Sequence, residues 1–157
     1  MMTIELNQNS LQKLDISPVT TIVETLLEEG TITSQEQKIT FKINYERDET
    51  DPRELSEIPE IRLWFVRLDS IYPWFPFLLD WKAGELARYT AMLVPHQFHR
   101  TEGIQYNLEA LEIFVMNKVF ILNDWLKKQN IPSHYRLKSM AQIFGYELDD
   151  QFFELLG

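Results

Sequence analysis

The stretch His96-Gln97-Phe98-His99, with Arg100 and Glu102 close behind, has the residue types best suited to chemistry in this chain. Two imidazoles three positions apart and a nearby carboxylate can ligate a divalent ion. The third histidine, His134, is remote in sequence, and nothing signals the remaining ligands that a metal site needs. The competing reading is a loop whose histidines bond to backbone carbonyls. A second set, Asp69, Asp80 and Glu85 near Arg62, Arg67 and Arg88, could supply a carboxylate pair for proton transfer. The same residues read as ion pairs and helix ends around an aromatic core. There is no GxSxG, GxGxxG, Walker loop or HExxH, and five glycines leave little for a phosphate cradle.

The chain has no cysteine. That excludes a cysteine nucleophile, a disulfide scaffold, and any iron–sulfur cluster or thiolate zinc site held by this chain. No cofactor is expected. Net charge is −9 and unevenly spread: residues 1–57 hold twelve acids against five bases. Such a surface repels nucleic-acid phosphates and anionic lipid, and favours a basic protein partner. The opening MMTIELNQNS lacks the basic and apolar regions of a targeting segment. The expectation is a protein of a bacterial cytoplasm.

The least ordinary stretch is DSIYPWFPFLLDW, Asp69 to Trp81. A bilayer needs roughly 20 apolar residues, and two prolines interrupt this shorter run, so membrane insertion is rejected. Three of the four tryptophans lie between Trp64 and Trp81. They are core material, or some are exposed as anchors for another protein, since Trp and Tyr are enriched at interface hot spots. Tyr72, Trp74, Phe77 and Trp81 are the candidates. The acidic loop at about 46–60 supplies the others: Glu46, Asp48, Glu49, Asp51, Glu54 and Glu57.

The elements that position these residues follow from periodicity. Thr3–Leu6 reads as a short strand. Ser17 caps a helix with Pro18 at its first position, and Gly30 stops it. KITFKINY alternates as a half-buried strand, pairing with the N-terminal strand or with Thr31–Thr33. The acidic loop follows, with a helical turn near Arg53–Glu57. Ile61, Trp64, Phe65, Leu68 and Ile71 recur at helical spacing after Pro59. Pro73 ends that helix at Tyr72. A new helix starts at Pro73 or Pro76 and runs to Pro95. PHQFHRTEGIQY reads as a loop turning at Gly103. Asn107 caps a helix over Leu108 to Lys128, Ser133 caps one to Phe144, and Asp149 or Asp150 opens the last. The fold class is α+β: a mainly helical single domain, about five helices packed on a small antiparallel sheet. The acidic loop separates its β part from its helical part.

The run DPRELSEIPEIRLWFVRLDSIYPWFPFLLDWKAGELARYTAMLVPHQF, followed by GIQYNLEALEIFVMNKVFIL, resembles the chlororespiratory reduction 6 family of cyanobacteria and chloroplasts. The likeness covers roughly Ile39 to Trp125. It implies a factor that assembles the peripheral arm of the photosynthetic NDH-type complex, with the ferredoxin-like iron–sulfur subunit I as partner. It implies no enzyme and no catalytic residue, and a cytoplasmic location equivalent to the chloroplast stroma. The absence of a transit peptide points to a cyanobacterial member. Two other readings stand beside it. One is a small metal-dependent enzyme using His96, His99 and Glu102. The other is a regulatory module that dimerises through Leu108–Lys128.

Overall fold

Alternating apolar residues at Ile4 and Leu6, and at Ile39 and Phe41, make two strands with one buried face. In the computed structural model, which describes residues 2–156, these are β1 (Met2–Asn7) and β2 (Ile39–Asn44). They pair parallel, Met2 opposite Ile39 through Asn7 opposite Asn44. An antiparallel sheet is therefore the wrong geometry for this pair. Parallel neighbours need a long crossover, and α1 (Gln8–Gln12) and α2 (Ser17–Glu28) supply it. Thr31–Thr33 is not a strand: residues Ile32–Gln35 form a 3-10 turn. Ser17 lies inside α2, not at its cap. The carboxylate of Asp15 accepts the Ser17 N–H at 2.9 Å, and that bond holds its pKa below the usual aspartate range.

The chain divides into two compact units, Met1–Leu93 and Val94–Gly157. In the first, Pro59 opens α3 (Pro59–Ile71), which ends at Tyr72 because Pro73 bars helical geometry there. Pro76 sits in the first turn of α4 (Phe75–Leu78). The expected continuous helix from here to Pro95 is broken. Leu79 forms a parallel bridge with Ile39, and the Asp80 N–H donates to the Ile39 carbonyl at 2.8 Å. The chain then turns through Gly84 at φ +82°, a conformation costly for any residue with a Cβ. Helix resumes as α5 (Glu85–Leu93). An aromatic cluster fills this unit. The Phe41 ring lies 5.7 Å from Trp64, 5.4 Å from Phe65 and 5.6 Å from Phe75, centroid to centroid. Trp64 is fully buried and donates its indole N–H to the Asp15 carbonyl. Burying such rings stabilises the fold by about 2–3 kcal/mol each.

The second unit opens with a hairpin where a loop was expected. β3 (His96–His99) and β4 (Gly103–Tyr106) are antiparallel, with Gly103 at φ +74° closing the turn. The alternating Phe98, Ile104 and Tyr106 carry this pairing. α6 (Leu108–Lys128) follows, and the Asn107 side chain accepts the Ala110 N–H at 3.0 Å. α7 (His134–Ile143) begins after Ser133, but that side chain does not cap it. The hydroxyl donates to Asn123 Oδ1 at 2.9 Å. α8 (Asp150–Leu156) is capped by Asp149, which accepts the Phe152 N–H at 2.8 Å. The described residues thus hold eight α-helices and two two-stranded sheets, one parallel and one antiparallel, in place of five helices on one sheet.

Candidate functional site

The hairpin separates the two histidines that the sequence offered as ligands. Residues three apart on a strand point to opposite faces. His96 shares its face with Phe98 and Tyr106, ring centroids 4.9 and 6.0 Å away, and its Nδ1 donates to the Val94 carbonyl at 2.8 Å. Burial on this face pushes the Tyr106 hydroxyl up to about 12. His99 turns to its own loop, its Nδ1 accepting from Thr101 N–H at 3.4 Å. Glu102 accepts from the Gln105 amide. The three side chains have three separate partners. Among the described residues no group of three histidines, cysteines or acids could hold a metal ion. His134 stacks on Phe153, centroids 4.4 Å apart.

The carboxylates of the first unit also have structural partners. The Tyr89 hydroxyl donates to Asp69, and burial drives the Tyr89 pKa well above its ordinary value. Asp80 Oδ1 accepts the Ala83 N–H at 3.1 Å and shapes the turn before α5. Glu85, 6% exposed, accepts the Phe41 N–H at 3.2 Å and pairs with Arg88 at 3.4 Å. Burial raises the Glu85 pKa, and the nearby Arg88 guanidinium opposes the rise. Arg88 in turn donates to the Phe41 carbonyl at 3.1 Å. Both side chains thus grip the backbone of one residue of β2, on either side of its Cα. The sequence showed an i,i+3 pair but gave no sign of its target.

Of the four aromatic candidates, Tyr72 and Phe77 are core residues, 6% and 2% exposed. Their large apolar rings gain more from packing than from solvent. The Tyr72 hydroxyl reaches the Thr20 hydroxyl at 2.7 Å. Trp74 and Trp81 are half-buried and reach the surface. Trp81 donates its indole N–H to the Pro76 carbonyl at 2.8 Å, and Trp74 packs edge-on to Tyr72 at 5.5 Å.

The acidic stretch carries no strand or α-helix between β2 and α3, only a 3-10 turn at Leu55–Glu57. Two of its acids fold it. Asp48 accepts from the Thr50 N–H and hydroxyl at 3.0 and 2.8 Å. Asp51 accepts from the Arg53 backbone and guanidinium at 2.9–3.2 Å, and these bonds hold its pKa down at about 2. Glu46, Glu49, Glu54 and Glu57 stand exposed, and among the described residues none of the four has an ion pair.

Within this mixed α and β structure the histidines and carboxylates that the sequence offered for catalysis each hydrogen-bond to a neighbour in the fold. Residues 6–155 match the family model described as chlororespiratory reduction 6, and the chain belongs to that family. Its role is therefore that of a non-catalytic assembly factor for the NDH-type complex, acting on a protein partner. No solved structure matches the chain. Among the described residues no helix is long and apolar enough to cross a membrane.

Proposed function

We propose that this protein holds the ferredoxin-like iron–sulfur subunit I of the peripheral arm before that subunit docks, in the cytoplasm of a cyanobacterium. The observation that carries this reading is the set of four exposed, unpaired glutamates on the acidic stretch. Carboxylates left without cations at home are free to meet them on a partner, which speeds encounter and selects basic surfaces. Trp74 and Trp81 add the apolar anchors such an interface needs. With no cysteine of its own, the chain binds a cluster protein without competing for the cluster. Binding that favours the undocked subunit holds it by mass action, with no bond made or broken.

The test is capture of the purified subunit by the Trp74→Ala/Trp81→Ala double variant and by a variant with Glu46, Glu49, Glu54 and Glu57 changed to Gln. Circular dichroism monitors the fold of each. The expected result is loss of capture in both, with the wild-type spectrum retained. A glutamine variant that captures the subunit as well as wild type, at low and at high salt, would discard the acidic surface.

A further inference from the structure

Parallel strands are ordinarily covered on both faces and continued by neighbours. The β1–β2 pair is covered on one face, and a neighbour continues it on the β2 side, through the Leu79 bridge to Ile39. One face packs Ile4, Leu6, Ile39 and Phe41 into the core. On the other, Thr3, Glu5 and Lys42 stand in solvent, with Glu5 and Lys42 paired loosely at 3.6 Å.

The two edges of this sheet differ. Asp80 donates to the Ile39 carbonyl, Glu85 accepts the Phe41 N–H, and Arg88 donates to the Phe41 carbonyl. The outer edge of β2 is thereby closed as far as Phe41. On β1, the Met2 N–H donates to the Lys38 carbonyl at 2.9 Å, which sets the phase of the ladder. The backbone groups of Met2, Ile4 and Leu6 face β2, so those of Thr3, Glu5 and Asn7 face outward. Among the described residues no hydrogen bond reaches the outward N–H groups of Thr3 and Glu5. The strand MTIELN also lacks the proline or lysine that commonly guards an edge.

We propose that the outer edge of β1 is a docking rail, on which an extended basic segment of a protein partner adds as another strand. This rests on the reading of the protein as a factor that holds another protein, and says how part of that partner is held. Backbone hydrogen bonds to Thr3 and Glu5 supply the affinity. Side-chain alternation supplies the choice of sequence. Positions beside Ile4 and Leu6 take apolar side chains, and positions beside Glu5 take lysine or arginine. Charge selects this occupant over a second copy of the chain. Two copies paired edge to edge join two surfaces rich in acids, and like charges facing across a strand pair are destabilising.

The experiment is hydrogen–deuterium exchange on the full chain, alone and saturated with the iron–sulfur subunit, together with capture by Glu5→Pro. That substitution removes an N–H pointing away from β2, on an edge strand where proline is tolerated. We expect slowed exchange at Thr3 and Glu5 in the complex and capture weakened about tenfold in Glu5→Pro, as for loss of a backbone hydrogen bond or two. If Glu5→Pro does not fold, Glu5→Lys replaces it, with the same loss expected from reversed charge. Capture of wild type with unchanged exchange at both amides overturns the rail and leaves the assembly role standing. Where the wild-type chain does not capture the subunit, that partner assignment fails, and the rail is read with short blocked peptides. Protection by alternating valine and lysine, and not by alternating valine and glutamate, supports it. Protection by neither, or a dimer of the free chain that protects the same amides, overturns it.

Discussion

The Glu85 carboxylate accepts the backbone N–H of Phe41 at 3.2 Å, across 44 positions of chain. One helix residue thus satisfies the outward N–H of a strand residue whose ring lies at the centre of the aromatic cluster. The arrangement joins sheet edge, α5 and core. Glu85→Ala leaves the Phe41 N–H without its acceptor, and its expected cost is about 1–3 kcal/mol in urea denaturation. An unchanged midpoint would mean that the bond carries no weight.

Glu85 also makes stability depend on pH. Burial raises its folded pKa above the ordinary value near 4.5. The fold then binds this proton more tightly than the unfolded chain does. The contribution is fully present below the unfolded pKa and is lost as pH rises through the folded one. Urea titrations stepped downward from neutral pH should show wild type gaining stability relative to Glu85→Gln. Parallel curves for the two proteins through that window would remove the assignment.

Trp64 and Leu63 are neighbours on α3 with opposite environments, 0% and 53% exposed. Trp64→Ala opens a cavity among Phe41 and Phe65 and should cost about 3–5 kcal/mol. Leu63→Ala should stay within about 0.5 kcal/mol of wild type. Thermal and chemical denaturation of the pair checks the helix phase. Equal losses would mean the wrong face is inward.

Asn107 accepts the Ala110 N–H at the start of α6. Asn107→Ala should cost about 1 kcal/mol, and Asn107→Asp should restore it. A melting series of the three proteins reads this directly.

His96 and His99 point to opposite faces of β3. Zinc or manganese added to tag-free protein should leave the melting temperature unaltered. A rise on metal addition that disappears in His96→Ala would reinstate the metal reading.

Some of this structure lies in short stretches of sequence. Asn107, the apolar stripe from Leu111 to Leu126 and the two terminal lysines state α6 completely. Pro59 and Pro73 bracket α3, and the alternation Ile39-Phe41 marks β2. Other parts were misread although their local signals exist. The hairpin His96–Tyr106 alternates as β2 does, but its short strands are weak against a turn-rich surrounding. The pairing of β1 with β2 carries the helix-containing connection of a parallel pair, yet nothing adjacent in sequence fixes it.

What the sequence determined alone is the position of most elements, the absence of thiol chemistry, the acidic surface and the family. Each depends on composition, on spacing within a turn or two, or on the run of residues as a whole. Only the tertiary structure decided that Tyr72 and Phe77 are core while Trp74 and Trp81 reach the surface. It alone broke the helix at Leu79 to bridge Ile39, and set Glu85 and Arg88 on Phe41. Those outcomes follow from desolvation and hydrogen-bond pairing between residues about 40 or more positions apart, and such energies exist only once the chain has brought the partners together.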